Sequence, residues 1–351
     1  MTLPIKPPFA PMEAKRVDRI PAGDIWQFEP KWDGFRAVVF RDGDDVELQS
    51  KAGQPLARYF PELVDAFRAL KAKEFVLDGE IVVPAGGRLS FDHLLQRIHP
   101  AASRIRKLAE ETPAHYFAFD LLVANGKPLI DQPIETRRAQ LEKFFEKIDH
   151  PLLRLSPATT DRKTADKWFS QFSDMGLDGV MAKQLGEPYH SGDREGMVKV
   201  KHLKTADCVV GGFRYGEKGG QPTDFVGSLL LGLYDDEGRL VYIGHTSSIK
   251  QADRAELTKK LESMKADNPF EVRVPGGPSR WATEKSSEWT PVKPVLVCEV
   301  EYDYFSQGRF RHGSKFLRWR PDKKAKQCTM DQVKPNDERG TMSAERLFNL
   351  Q

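Results

Sequence analysis

A strand that carries two acids on one face sets the strongest limit on how this chain can fold. Phe75–Val83 reads as an apolar strand, yet Asp78 and Glu80 stand inside it, between Val76-Leu77 and Ile81-Val82-Val83. Side chains alternate across a strand, so Asp78 and Glu80 share a face. Carboxylates in a buried-looking strand need a partner or a metal. The chain must therefore supply a sheet with a polar, functional face. Val198-Lys199-Val200-Lys201 alternates in the same way, with both lysines on one face and the valines toward the core. Phe117 and Phe119 alternate in the apolar run Tyr116–Val123, and Asp178 opens the short strand Gly179–Lys183.

Other segments fill in the frame. Ile25–Phe28, Phe35–Phe40 and Val46–Gln49 read as strands, and Met197–Lys201 as another. Helices are expected from Pro61, over Pro133–Ile148, and over Thr164–Met175 with Gly176 as its stop. After about Leu203 the character changes. Cys208–Phe213, Ser228–Tyr234, Leu240–Gly244 and Val295–Tyr302 are short strands with Gly-rich turns, and one helix lies near Lys250–Met264. That pattern fits a small closed barrel. The expected division is 1–203 and 204–351, with the order of the tail after about residue 327 left open.

Composition excludes several classes. Of 351 residues 39% are hydrophobic and 10% aromatic, which argues against disorder. Lacking about 18 consecutive apolar residues, the chain is not expected to enter a membrane. The start, MTLPIKPPFAPMEAK, has no apolar run of the kind a signal peptide needs. Three separated cysteines exclude a disulfide scaffold and a Cys-rich zinc ribbon, and a cytoplasmic location fits. The net charge of +3 hides an asymmetry. Arg309 to Lys326 holds eight basic residues against one acid, with Phe310, Phe316 and Trp319 interleaved. Such a stretch is either a solvated charged strand or a nucleic-acid footprint.

Glu29-Pro30-Lys31-Trp32-Asp33-Gly34-Phe35-Arg36 carries the chemistry. Alone, Lys-x-Asp-Gly reads as a hairpin corner. Beside Lys199, Lys201 and the inward acids it makes sense at a nucleoside triphosphate. A lysine amine attacks phosphorus only when unprotonated, and Lys199, Lys201 and a divalent metal would depress the pKa of Lys31. The same cations would neutralise charge on phosphate oxygens. Glu80 and Asp178 would ligate Mg²⁺, and Phe119 would stack on a base.

Taken in order, these segments resemble the covalent lysyl-nucleotidyltransferases, and among them the ATP-dependent DNA ligases of the short bacterial C type. Lys31-Trp32-Asp33-Gly34 resembles motif I, Ser50-Lys51-Ala52-Gly53 motif Ia, and Asp78-Gly79-Glu80 motif III. Phe117-Ala118-Phe119-Asp120 is similar to IIIa, Asp178-Gly179-Val180-Met181 to IV, Met197 to Lys201 to V, and Arg318 to Lys323 to VI. The resemblance implies an α+β fold: an ATP-grasp-like nucleotidyltransferase domain of antiparallel sheets with flanking helices, followed by an OB-fold β-barrel. It implies that Lys31 becomes lysyl-AMP with Mg²⁺ or Mn²⁺, that AMP passes to a DNA 5′-phosphate, and that a 3′-hydroxyl then seals the nick. Catalytic roles fall on Lys31, Asp33, Lys199 and Lys201. Nucleotide contacts fall on Glu29, Pro30, Trp32, Arg36, Ser50, Lys51, Glu80, Phe119 and Val180. Arg320, Asp322 and Lys323 would serve the pyrophosphate side as the second domain closes. Glu80 and Asp178 are the metal ligands, and Arg309, Arg311 and Lys315 the DNA contacts. The partner implied is nicked duplex DNA, met by a monomer away from membranes. The family usually has Glu where Asp178 stands and Arg where Lys51 stands, and Asp120 takes no role in this set. Three alternatives share parts of the pattern: an RNA ligase, a GTP-dependent mRNA-capping guanylyltransferase, and a non-catalytic OB-fold single-strand-binding protein.

Overall fold

Apolar alternation in the first two hundred residues produces two sheets. The computed structural model describes residues 1–171, 177–218, 221–276 and 288–333, and the chain divides into one unit built on Met1–His202 and another on Leu203–Asn336. In chain order the first unit begins with β1 (Lys15–Arg16), β2 (Trp26–Trp32), β3 (Phe35–Asp42), β4 (Asp45–Ser50), α1 (Pro61–Ala69) and β5 (Glu74–Val82). The hairpin β6 (Pro84–Ala85) and β7 (Arg88–Leu89), α2 (Phe91–Gln96) and α3 (Ala102–Glu111) follow. The unit continues with β8 (His115–Ala124), β9 (Lys127–Pro128), α4 (Ile134–Phe145), β10 (Leu153–Leu155), α5 (Arg162–Gln171), β11 (Leu177–Gln184) and β12 (Met197–Lys201).

One sheet has the order β1-β12-β11-β2; the other has β10-β8-β5-β3-β4, with β9 paired to β8. Pro61 sits in the first turn of α1, where its missing N–H costs nothing. The α1 face Leu63, Val64, Ala66 and Phe67, with Phe60 at its N-cap, then packs with Phe75, Leu77 and Tyr116 on the larger sheet. On that sheet's opposite face, Val38, Phe40 and Val76 meet the N-terminal residues Leu3, Ile5 and Met12. The smaller sheet buries Phe28, Val180, Ala182 and Val200 against Ala165 and Trp168 of α5. Asp120 accepts hydrogen bonds from Arg137 at 2.8 and 3.1 Å, both side chains buried, which fixes α4 to β8. This gives Asp120 the role the sequence did not.

The second unit contains β13 (Lys204–Lys218), β14 (Gln221–Tyr234), β15 (Leu240–Thr246), α6 (Arg254–Glu262), β16 (Thr290–Tyr302), β17 (Phe305–Ser306), β18 (Arg309–Phe310) and β19 (Lys315–Trp319). Its five-stranded sheet runs β15-β14-β13-β16-β19. A parallel bridge between Thr246 and Ser314 closes the ends into a barrel, with the Ser314 amide donating to the His245 carbonyl at 3.0 Å. Cys208, Leu229, Leu231, Ile243 and Cys298 belong to its buried core. This is the OB-fold architecture, with its helix between the third and fourth long strands.

Several elements differ from the sequence reading. Lys31 lies within β2, which continues beyond Phe28 to Trp32. The helices α2 and α3 are additional; Ser90 caps α2 by accepting from the His93 amide. The α4 helix ends at Phe145, before Ile148. The described part of α5 ends at Gln171, so the expected stop at Gly176 lies outside the described residues. Residues 327–333 are ordered, with Cys328 and Val333 buried, and the rest of the tail lies outside the described residues.

Candidate active site

A cavity in the first unit opens where the two sheets face each other. Strand β2 contributes Glu29, Pro30, Lys31 and Trp32, and β3 contributes Arg36. Glu80 comes from β5, Phe119 from β8, Met181 and Lys183 from β11, and Met197 and Lys199 from β12. Glu13, Ala14 and Lys51 complete the wall.

The placement of Asp178 rests on one irregularity. Strands β2 and β11 pair antiparallel with Gly179 opposite Lys31 and Met181 opposite Glu29. By alternation Met181 and Lys183 face the cavity, while Val180 and Ala182 enter the core. Asp178 would follow Val180 inward, but the register shifts between Leu177 and Gly179. The bulge leaves Asp178 unpaired and turns it to the cavity side. Gly179 makes this possible: its φ is +140°, and a Cβ there would lie 1.9 Å from the Val200 carbonyl oxygen. A second glycine, Gly34, allows β3 to start beside β5. A Cβ on it would meet the Ile81 carbonyl oxygen at 2.1 Å, and its amide donates to Glu80 Oε1 at 3.2 Å.

Lys31 Nζ lies 2.6 Å from Asp178 Oδ2, and Lys201 Nζ lies 3.2 Å from the same oxygen. Burial alone would lower the Lys31 pKa, but the Asp178 carboxylate raises it above the ordinary lysine range, with Glu80 and Asp33 adding to the effect. Among the protein's own groups, then, Lys31 is raised where the sequence reading, which counted a divalent metal with Lys199 and Lys201, expected it depressed: the Asp178 carboxylate outweighs burial. Lys199 moves the other way. Burial lowers its pKa, helped by the charges on Lys31, Lys201, Lys51 and Arg194. Burial pushes the Glu80 carboxyl up to about 8, against the pull of Lys31 and Arg36.

The base-stacking candidate is framed by cations. The Arg36 guanidinium lies 5.4 Å and the Lys183 ammonium 4.9 Å from the Phe119 ring centroid. Arg36 donates to Asp78 through Nε at 3.0 Å and Nη2 at 2.6 Å, and Tyr189 donates its hydroxyl to Asp78 at 2.5 Å. The Met12 amide in turn donates to the Tyr189 hydroxyl oxygen at 2.9 Å. Trp32 stacks on Phe117 at 4.0 Å between centroids and donates Nε1–H to Ser156. Glu29 is buried between Gln27 Nε2 and Lys183 Nζ, at 2.8 and 2.9 Å.

Two residues singled out from sequence stand elsewhere. Val180 is fully buried in the core beneath β11, on the face opposite the cavity, and Met181 takes the position expected of it. The Ser50 hydroxyl accepts from the Gln54 amide at 3.0 Å and shapes the turn after β4. Sequence reasoning did not single out Lys183, Tyr189 or Glu13. Period-two spacing from Met181 points to Lys183. Glu13, which meets Lys51 and Arg194, both at 3.2 Å, carries no local signal.

In the second unit Arg320, Asp322 and Lys323 form one ionic cluster with Asp207. Arg320 Nη1 lies 2.7 and 2.9 Å from the two Asp207 oxygens, and Lys323 Nζ lies 2.7 Å from Asp207 Oδ2. Arg320 Nε and Nη2 donate to Asp322. The Arg320 hydrogen bond holds the Asp322 carboxyl down at about 2. Arg309 and Lys315 are exposed, and Arg311 lies over the Tyr304 ring at 5.6 Å.

Comparison with known proteins bears on most of the chain. Residues 11–201 match the family model described as ATP dependent DNA ligase domain, and 222–323 the one described as ATP dependent DNA ligase C terminal region. DNA ligase C1 of Mycolicibacterium smegmatis is 47% identical over 344 residues, covering 95% of this chain and 96% of that protein. DNA ligase C of Mycobacterium tuberculosis is 43% identical over 348 residues, with coverage of 95% and 96%. A solved Lig E DNA ligase, described as DNA binding with a minimal scaffold, aligns over 89% of this chain and 99% of its own at 18% identity. Its TM-score of 0.58 shows a shared fold.

Proposed function

Since this chain belongs to the ATP-dependent DNA ligase family and is a DNA ligase that uses ATP, we propose that Lys31 is its nucleophile and that residues 1–203 form the adenylylating domain, with 204–351 as the OB-fold domain. The observation that carries this reading is Lys31 Nζ at 2.6 Å from Asp178, in a cavity shared with Lys199, Arg36 and Phe119. Lys31 must lose a proton before its lone pair reaches phosphorus. Asp178 is the group within hydrogen-bond reach to hold that proton. The Lys31 nitrogen then bonds to the α-phosphorus of ATP as the bond to pyrophosphate breaks. Lys199 and Lys201 offset the charge that develops on the α-phosphate oxygens. Phe119 stacks on adenine, Arg36 and Glu80 take the ribose, and the backbone at Glu29 meets the base edge. Trp32, Pro30 and Lys51 shape the wall, and Arg320, Asp322 and Lys323 act on the departing pyrophosphate. AMP is next transferred to a DNA 5′-phosphate, and the 3′-hydroxyl displaces it.

The donor set fits a hard divalent cation. Asp178 and Glu80 offer carboxylate oxygens on the cavity side, where burial leaves Glu80 short of compensating charge. Among the described residues no group of three ligating side chains would hold a metal unaided. Asp178 and Glu80 would therefore hold Mg²⁺ or Mn²⁺ together with phosphate oxygens and water, and the ion supplies positive charge to the phosphates.

We assign the substrate as nicked duplex DNA, with Arg309, Arg311 and Lys315 as phosphate contacts, bound by a monomer in the cytoplasm. Among the described residues no helix is long and apolar enough to cross a membrane. Incubation with labelled ATP and, separately, GTP tests the reading. Acid-stable label from ATP alone is expected, lost in Lys31→Ala and in Lys31→Arg, whose guanidinium stays protonated. Label from GTP would favour a capping enzyme. Sealing of RNA in preference to DNA nicks would favour an RNA ligase, and absence of label a binding module. Label retained by either Lys31 variant would remove Lys31 from its role.

A further inference from the structure

Arg320 uses two different edges, and they differ in how firmly they are held. The Nη1 edge meets Asp207, whose side chain is 11% exposed. Asp207 sits in β13, paired with Glu299 of β16. Its backbone is also clamped from one side: its amide donates to Gln332 Oε1 at 3.0 Å, and Gln332 Nε2 donates to its carbonyl at 3.1 Å. The same carboxylate holds Lys323 Nζ at 2.7 Å. The other edge of Arg320, Nε with Nη2, meets Asp322 at 3.0 and 2.8 Å. Asp322 follows β19 in a turn, and its side chain is 62% exposed. Two cations and two carboxylates cancel, so the resting cluster carries no net charge.

The Nε–Nη2 edge is a planar fork that suits a phosphate as well as a carboxylate. Displacing the exposed Asp322 costs little, whereas displacing Asp207 would strip a buried strand residue of both its cations. We propose that Asp207 is a positioning residue for the ATP step: it fixes the Arg320 guanidinium and the Lys323 ammonium in place, and leaves the edge now held by Asp322 for the oxygens of the triphosphate. This rests on the reading that Arg320 and Lys323 serve the pyrophosphate side of ATP.

Lysyl-AMP formation across ATP concentrations and ATP-free sealing of a pre-adenylylated nick, both with the full chain, test the proposal. Asp207→Asn should raise the KM for ATP by about 10- to 100-fold, the loss expected of one charge-assisted partner. Sealing of the pre-adenylylated nick should stay within about twofold, since it involves no triphosphate, and Asp207→Glu should recover part of the ATP step. Equal losses in both reactions, in both variants, would make Asp207 a merely structural residue and overturn the proposal. Arg320→Ala separates this from the reading beneath it. If Arg320→Ala loses the ATP step and Asp207→Asn does not, the Asp207 assignment fails alone. If neither loses it, the role given to Arg320 fails as well.

Discussion

Replacing Asp78 by Asn should destabilise the first unit more than any exposed substitution. The Asp78 side chain is 0% exposed and accepts three hydrogen bonds, two from Arg36 and one from Tyr189, at 2.5–3.0 Å. Asparagine keeps the shape but offers one acceptor oxygen, so its NH₂ group meets a donor head-on. The Arg36 side chain, 16% exposed, is left with a buried and half-partnered charge. Breaking a buried pair from one side costs about 3–5 kcal/mol. For a domain of this size each kcal/mol moves Tm by roughly 2–4 °C, so a fall of about 6–20 °C is expected. Thermal unfolding of the full chain, followed by near-UV circular dichroism, measures it. The double variant Asp78→Leu with Arg36→Met should regain much of the loss, because two apolar groups leave no orphaned charge. A Tm shift below about 2 °C in the single variant, or a double variant no better than the single, would refute the reasoning.

Glu80 gives a pH dependence of definite sign. Its folded pKa of about 8 lies above the unfolded value near 4.5, so the folded state holds the proton more tightly. Wild type should lose stability relative to Glu80→Gln as pH rises from about 4.5 to 8, and a Tm difference that is flat over that range would contradict it. Nick binding by the second unit's basic stretch should fall with salt on a log–log plot with a slope of roughly −3 to −6. Neutralising Arg309, Arg311 and Lys315 together should make that slope shallower by roughly 2–3 while leaving lysyl-AMP formation intact; an unchanged slope would remove this stretch from the DNA contacts.

The fold class and the family were legible because their signals are local. Period-two alternation exposes Asp78 with Glu80, and Lys199 with Lys201, and the barrel announces itself through successive strands and glycine turns, although β13, β14 and β16 run 13 to 15 residues, well beyond the short spans read from sequence. Register is not local. Nothing between Leu177 and Gly179 says that one residue is unpaired, so alternation alone would send Asp178 into the core with Val180, and the resemblance placed Val180 at the nucleotide where Met181 stands. The same limit hid Tyr189 and Glu13, whose partners lie far away in sequence, and it hid the contact of Asp207 with Arg320. The sign of the Lys31 pKa shift was missed for a related reason. A count of neighbouring cations says nothing of which charge stands closest, and Asp178 at 2.6 Å decides it.

The smaller sheet joins the beginning of its unit to the end. Strand β1 pairs in parallel with β12, Lys15 beside Val198, and β2 with β11, Lys31 beside Gly179. A chain emerging from the ribosome can fold the larger sheet from neighbouring hairpins, since β3, β4, β5 and β8 meet in nearly sequential order. The wall that sets Lys31 against Asp178 must wait until almost two hundred residues have been made. Such distant pairings carry the loop-closure cost that slows folding. During synthesis, then, β2 with its apolar Phe28 waits for its partner β11 until Leu177–Gln184 has been made, and only then does Lys31 meet Asp178.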